Sequence, residues 1–472
     1  MTPMKIQLIY PPTSRRGGNP DWAYPPLGLL YLAAYARRNN PDIEWKVSDG
    51  QMDGEVKCLA DFRSFKPDLV GISFATPHAA GAYQFIDKLR EESPDILIVC
   101  GGAHPSALPE EVLSRTSTDI VVVGEGEVAF ASIVEDFSRG IIKPGYKKIL
   151  TFPLIKDIDS IPFPARDLIN FKRYPGWVFS KRGAGTHFTS SRGCPYNCRF
   201  CSNPVWKAQK PWCRLRSPQN VVDEIQLLRE KYGIREFFDQ CDEFNINTRH
   251  AIEICDEILQ RGLDIKWKVQ MTARVKHLSE ELIEKMAKSG CWLVCLGLES
   301  GNQATLNGIG KAISIEEIRH ACGLLKKHGI RVLGLFMMFN IWEENGELRY
   351  EGVEESLNTI RFAKSLRDKK LLDYLSCTIT TPFPASPLWD IAIKYNLVSE
   401  KDIGRWQLWD SSWNQAIKLP TVSEEDWRKT RAMGGRLQSY SVLSRLRDVN
   451  LAALPTLMRR GTRVLKLMIK PG

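Results

Sequence analysis

Ser190-Ser191-Arg192-Gly193-Cys194-Pro195-Tyr196-Asn197-Cys198-Arg199-Phe200-Cys201-Ser202 sets three cysteines in one short loop at C-x3-C-x2-C spacing. Three thiolates this close can hold three corners of a cubic iron–sulfur cluster, and with no fourth cysteine beside them one iron stays open to a substrate or cofactor. The competing reading is a zinc knuckle, because C-x2-C is also half of one. Zinc asks for four protein ligands in a closed site. The next cysteine, Cys213, is twelve residues on, beyond Lys207 and Lys210, and no histidine lies between.

Working outward, strand and helix patterns repeat six times from residue 187. Strands fit 187–191, 234–239, 265–271, 292–297, 330–338 and 372–378, with helices over 218–232, 249–261, 280–289, 315–328 and 352–367 between them. Six such units form an open three-quarter barrel, with reactive groups on the loops at the carboxyl ends of the strands. The cysteine loop follows the first strand, at that end. The second strand runs into Asp239-Gln240-Cys241-Asp242-Glu243-Phe244, the third ends Thr272-Ala273-Arg274, and the fourth ends Gly297-Leu298-Glu299-Ser300-Gly301.

Cys194, Cys198, Phe200 and Cys201, with the aromatic residue just before the third cysteine, resemble the signature of radical S-adenosylmethionine (SAM) enzymes. The resemblance implies a 4Fe-4S cluster whose open iron chelates SAM and whose electron cleaves it to a 5′-deoxyadenosyl radical. It places Phe200 in the cofactor site and a SAM-binding acid after the second strand; a carboxylate suits the SAM ammonium. Asp242 and Glu243 are both candidates, because the segment admits two alignments. The Glu299-Ser300 pair resembles a recurrent SAM-contacting motif, near the ribose or methionine moiety. The fifth loop, Phe339-Asn340-Ile341-Trp342-Glu343, departs from the family's Gly-x-Pro-Gly and is specific to this chain. Thr380-Thr381-Pro382-Phe383-Pro384 resembles the family's closing segment.

Upstream, β-rich runs at 5–10, 44–48, 68–74, 95–100 and 119–123 alternate with helical patterns over 29–38, 79–91 and 128–138. Strands apolar on both faces and separated by helices imply a doubly wound parallel sheet, whose ligands sit beyond the strands' carboxyl ends. Three strands exit into small residues: Ser73-Phe74-Ala75-Thr76, Gly101-Gly102-Ala103-His104 and Gly124-Glu125-Gly126-Glu127. Glycines there allow a large flat ligand to approach the backbone.

These exits, with Tyr10-Pro11-Pro12 and Pro25-Pro26-Leu27-Gly28, resemble the flavodoxin-like cobalamin-binding domain that precedes many radical SAM domains. On that likeness Ser73, Thr76, Gly101, Gly102, His104, Gly124 and Glu125 line the corrinoid and its nucleotide tail. Proteins that ligate cobalt from below often carry Asp-x-His-x-x-Gly, whereas this chain has Asp49-Gly50-Gln51-Met52-Asp53-Gly54. No lower cobalt ligand is therefore expected from this loop. The expected organisation is a cobalamin-binding α/β domain over 1–145, a proline-rich linker over 146–186, a partial (βα)6 radical SAM barrel over 187–395, and a helical, basic C-terminal region over 396–472.

The chain of 472 residues, 43% hydrophobic and 25% charged, has the composition of an ordinary globular protein. No apolar run approaches the roughly 20 residues that span a bilayer, and the N-terminus lacks signal-peptide form. Twelve cysteines without a paired framework suit a reducing compartment, so a cytoplasmic location is expected. From Arg428 to Gly472 eleven Lys or Arg face one acid, Asp448, so this tail carries the whole net charge of +10. Its stretch 457–469 has an amphipathic composition suited to peripheral contact with an anionic membrane, the rival being a helix packed on the barrel; nucleic acid is not expected as a partner. Trp406, Trp409, Trp413 and Trp427 are read as core rather than substrate clamp.

The resemblance implies a cobalamin-dependent radical SAM enzyme that methylates an unactivated carbon of a hydrophobic intermediate, lipid or tetrapyrrole, through the deoxyadenosyl radical and methylcobalamin. A low-potential ferredoxin or flavodoxin would supply electrons. The rival enzymatic reading is a non-methylating radical cyclisation or rearrangement, as in the anaerobic tetrapyrrole cyclases. From another class, the chain would be a cobalamin-binding sensor without turnover.

Overall fold

The computed structural model describes residues 3–12, 22–174, 176–177, 179–183, 185–409 and 415–443. Six parallel strands form the first sheet: β1 (Lys5–Tyr10), β2 (Glu44–Asp49), β3 (Leu69–Ser73), β4 (Leu97–Gly101), β5 (Ile120–Val123) and β6 (Lys148–Thr151). Their order is β2-β1-β3-β4-β5-β6, so the chain reverses direction across the sheet beside β1. Such a switch opens a crevice at the strands' carboxyl ends. Ile6, Leu8, Ile9, Leu69, Val70 and Leu97 are buried, as strands covered by helices on both faces require.

Two expectations need correction here. The segment 146–186 is not wholly linker, because Lys148–Thr151 pairs in parallel with Ile120–Val123 and extends the sheet past residue 145. This strand was illegible because it is an edge: Lys147 precedes it, Lys148 opens it and Ile149 is exposed, so it lacks the apolar run of its neighbours. The segment after Asp49 is also not an open loop. Asp49 caps the helix Gly50–Phe65, accepting from the backbone N–H groups of Gln51 and Met52.

The rest of the linker is pinned rather than loose. Arg166, which follows the prolines, donates to Glu224 at 2.9 Å and to the His187 carbonyl at 2.7 Å, while Arg216 holds the other Glu224 oxygen at 2.6 Å. All three side chains are buried. Removing the shared carboxylate strands two buried cations, so Glu224→Ala should destabilise the protein by about 3–5 kcal/mol. Chemical denaturation of the purified variant checks this, and a loss below 1 kcal/mol would contradict it.

The second sheet runs in sequence order: β7 (Thr186–Phe188), β8 (Glu236–Asp239), β9 (Lys266–Met271), β10 (Cys291–Glu299), β11 (Arg331–Met338) and β12 (Tyr374–Ile379). All neighbours are parallel, and β7 and β12 are its two edges, which makes an open barrel. β7 is shorter than its sequence pattern. Asp239 accepts the Ser190 N–H at 3.0 Å and draws the chain out of the sheet, after which Ser191–Arg192 pairs with Arg214–Leu215 as a small antiparallel ribbon.

The C-terminal region contains the expected helix. Glu424–Leu443 lies along β12, where Gln438 and Ser441 accept the backbone N–H groups of Cys377 and Leu375. The open edge of the barrel is thereby covered. Trp406, Trp409 and Trp427 are buried, as core residues would be. Trp413 and the amphipathic stretch 457–469 lie outside the described residues. Among the described residues no helix is long and apolar enough to cross a membrane.

Candidate functional site

The carboxyl ends of the two sheets face one another across a cavity of about 380 Å³. From the first domain Ser73, Gly101, Gly102, Gly124 and Glu125 line it. Gly102 needs its freedom: φ is +98°, and a Cβ would sit 2.7 Å from Ser73 Oγ. At Gly124, where φ is +88°, a Cβ would meet nothing within 4 Å, so the bare backbone faces open space.

Thr76 and His104, expected at the same surface, do not line the cavity. The short helix Ala103–Ala107 carries the imidazole into the interior, where it shares hydrogen bonds with Thr76 Oγ1 at 3.1 Å and the Tyr83 hydroxyl at 2.9 Å. Burial, with Arg115 nearby, pushes His104 down to about 3 and keeps it neutral. Its ring lies edge-on to Trp406, whose indole N–H donates to Glu111. These residues brace the strand exits against the C-terminal region.

Across the cavity stand Ser191, Arg192, Gly193, Trp212, Arg214 and Asp242. Glu125 is gripped by Arg214 through both oxygens and by Arg192 at 3.4 Å, while Arg192 also donates to Glu127 at 2.6 Å. Burial alone would raise the Glu127 carboxyl, but Arg192 holds it below its ordinary value. Arg192 is two residues from the first cluster cysteine and Arg214 is on the paired strand, so one ion cluster ties the corrinoid-side loop to the cysteine loop.

Within that loop Cys194 and Cys198 are buried, Cys201 is half-buried, and all three are free thiols. Gly193, with φ +82°, lies against the Trp212 carbonyl so closely that no side chain fits. Arg199 is held between barrel loops: its N–H donates to the Ile309 carbonyl at 2.9 Å, and its carbonyl accepts from the Leu388 N–H at 2.9 Å. Burial pushes the Cys194 thiol up to about 12 and raises Cys201, so only a cationic centre such as iron would hold them as thiolates. Among the described residues no three His, Cys, Asp or Glu side chains converge on a single metal-ion position. The donor set fits the cluster: three free thiols, one loop, at the mouth of the barrel.

Inside the barrel Glu299, at the carboxyl end of β10 with φ +61°, is paired with Lys311 at 2.8 Å, both buried. The Lys311 ammonium also lies 5.7 Å from the centre of the Phe200 ring. Glu243 reaches the same region, and its Oε2 is buried without a hydrogen-bond partner. Burial raises its carboxyl to about 7, opposed by Lys311 and Arg274 and reinforced by Glu299 and Asp242. Asp242 instead faces the cavity from an exposed position. Ser300 departs from expectation: its hydroxyl donates to Glu351 at 2.7 Å and meets Thr359 Oγ1 at 3.1 Å, so it knits β10 to the helix Val353–Asp368.

Sequence reasoning missed Lys311, Arg192 and Arg214. Arg192 stood in plain view inside the cysteine stretch, and a basic residue there had no visible carboxylate partner. Lys311 follows Gly308-Ile309-Gly310, a turn that returns the chain to the barrel mouth twelve residues after Glu299.

A nucleotide-type parallel sheet and an open barrel with a three-cysteine loop, facing one cavity, define a cobalamin-binding radical SAM enzyme. Residues 18–134 match the B12 binding domain and residues 188–349 the Radical SAM superfamily. The chain is 34% identical over 421 residues to an uncharacterized methyltransferase of Pyrococcus horikoshii, covering 84% of this chain and 85% of the other. It therefore belongs to the cobalamin-binding radical SAM enzymes, whose cofactors are cobalamin, SAM and a 4Fe-4S cluster. The anaerobic magnesium-protoporphyrin IX monomethyl ester cyclase of Rubrivivax gelatinosus is 28% identical, covering 82% of this chain and 69% of the cyclase. The fold is shared with OxsB, a cobalamin-dependent SAM radical enzyme, at a TM-score of 0.68, 16% identity and 92% and 66% coverage of this chain and that one. It is shared also with the methyltransferase TsrM of Kitasatospora setae, at 0.62, 18%, 84% and 79%.

Proposed function

We propose that this enzyme methylates an unactivated carbon of a hydrophobic biosynthetic intermediate, lipid or tetrapyrrole in class. The observation that carries the reading is the single cavity lined both by the glycine exits of the first sheet and by the cysteine-loop ribbon. A methyl donor held on one wall and a radical source held on the other would meet the same substrate carbon. The methyltransferase relative, matched along most of both chains, supports this choice.

When bound, the cluster supplies the electron that cleaves SAM to a 5′-deoxyadenosyl radical, and cobalamin supplies the methyl group. Cys194, Cys198 and Cys201 would hold the cluster, and with no fourth protein ligand from the loop SAM would bind at its open iron. Glu243, with a buried oxygen lacking a partner, takes the SAM ammonium as a carboxylate, and Asp242 is left facing the cavity. Lys311 pairs with Glu299 and orients it at the same site, and Phe200 backs it. Ser73, Gly101, Gly102, Gly124 and Glu125 cradle the corrinoid, with Thr76 and His104 bracing them from behind. The ion cluster of Glu125, Glu127, Arg192 and Arg214 sets the separation of the two walls. A low-potential ferredoxin or flavodoxin supplies electrons.

A second reading, radical cyclisation without methylation, is favoured by the similarity to the Rubrivivax cyclase. Isotope transfer separates the two. With SAM carrying a trideuterated methyl group, extracts of cells expressing the enzyme should yield a product heavier by one CD3-derived unit. A product that changes mass without acquiring deuterium would establish the cyclase reading instead.

A further inference from the structure

The outer face of the cysteine loop carries a compact basic surface that the proposed chemistry leaves unused. Pro195 and Asn197 are exposed there, on either side of Tyr196 and between two cluster cysteines. The Lys207 ammonium donates to the Tyr196 carbonyl and, at 2.9 Å, to Asn197 Oδ1. Lys207 and Lys210 lie 5.6 Å and 5.2 Å from the centre of the Trp212 ring, and Lys276 lies 5.5 Å from that of Tyr196. Lys210 and Lys276 are exposed, as is Val275 at 42%, and Trp212, 36% exposed, stands at the rim between this face and the cavity.

None of the three lysines is ion-paired among the described residues. Two carboxylates border them without forming a salt bridge: Glu317, beside Val275, and Asp242, whose charge interacts with that of Lys207. Glu317 accepts the Val275 N–H and closes a capping box with Ser314, and Asp242 faces the cavity. The three lysines outnumber the two carboxylates, so the surface is net cationic, mixed with apolar rings, and separated from the cluster cysteines only by the thickness of their own loop. Electron transfer slows steeply with distance, so a donor must dock at such a place. Charge complementarity speeds that encounter and orients it without demanding a large interface.

We infer that the face formed by Pro195, Asn197, Lys207, Lys210 and Lys276 is the docking surface for a small, acidic one-electron carrier protein. The inference rests on the radical SAM reading of the cluster loop. One electron would leave the carrier, which is oxidised, and pass by way of the cluster held by Cys194, Cys198 and Cys201 to SAM, whose carbon–sulfur bond would break to give methionine and the 5′-deoxyadenosyl radical.

The test compares the reconstituted holoenzyme with its K210E/K276E variant, using an FMN-loaded bacterial flavodoxin as probe. Titration calorimetry with oxidised flavodoxin should show binding by the wild type that weakens as salt is added, and a loss of about tenfold or more in the variant at low salt. The rate of 5′-deoxyadenosine release driven by reduced flavodoxin should fall by a similar factor, while dithionite-driven release stays within about twofold of wild type. Equal flavodoxin affinity in the two proteins would overturn the inference. So would equal losses with both reductants, which would assign the lysines to the integrity of the loop, or capture of anionic vesicles in place of flavodoxin. If the wild type releases no 5′-deoxyadenosine even with dithionite, the radical reading itself fails, and the calorimetric comparison still judges the surface.

Discussion

Cys198→Ala should leave a folded protein that has lost its cluster and reductive cleavage of SAM with it. The other two thiols of the loop can ligate at most two irons, and the rest of the loop offers no substitute donor. Reductant-dependent 5′-deoxyadenosine release is expected to fall by three orders of magnitude or more, since loss of the cleaving electron removes the reaction rather than slowing one step of it. Anaerobic reconstitution should yield iron well short of four atoms per chain. Cys198 is buried but belongs to none of the packed apolar clusters, so the circular dichroism and thermal midpoint of the variant should stay close to those of the wild-type apoprotein. Two controls sharpen the test. Cys213→Ala, outside the triad, should retain both iron and cleavage. A Cys198→Ala protein that kept four irons and cleaved SAM would mean that another residue completes the triad, and the assignment of the loop would fall.

What the sequence disclosed and what it hid divide along a physical line. Periodic burial wrote itself into the order of residues, so the first five strands of the first sheet and all six of the second were legible, with ends within a few residues for most of them. The cysteine loop was legible because its ligands are neighbours in the chain. Features made by pairs distant in sequence were not. The clamp joining Glu125 to Arg214 spans 89 residues, and the buried link from Arg166 to Glu224 spans 58. Neither arginine carries a local signature distinguishing it from a solvated one. His104 and Ser300 failed for the converse reason. Each sits in a motif suited to ligand contact, but a single rotation of backbone or side chain commits its polar atoms to Tyr83 and Thr76 in one case and to Glu351 in the other. Motif reading can place a residue near a site; it cannot tell which way the side chain is spent.

Glu243 joins binding and stability in a way that can be measured with opposite signs. Its folded-state value, raised from 4.5 to about 7, means that the folded protein holds a proton there which the unfolded chain gives up. Stability from this group is fully present below about pH 4.5 and is lost as the pH rises through 7, because ionisation then forces a buried charge. The loss amounts to about 3 kcal/mol at most by pH 8, since one unit corresponds to about 1.4 kcal/mol. Glu243→Gln carries no such charge and should be more stable than wild type above pH 7, the difference shrinking towards pH 5. SAM binding demands the opposite state. The ammonium pairs with the carboxylate, so wild-type affinity in the holoenzyme should improve as the pH rises through the value of this group, with proton release on binding below it. The variant should bind SAM about ten- to a hundredfold more weakly, the worth of a charge-assisted hydrogen bond of about 1.5–3 kcal/mol, and should lose that pH dependence. Chemical denaturation of the apoprotein and calorimetric SAM titration of the holoenzyme, each across pH 5.5–8.5, read the two effects separately. Unchanged SAM affinity in the variant would transfer the ammonium to Asp242, whose open position on the cavity wall makes it the one other acid after the second barrel strand able to reach a ligand.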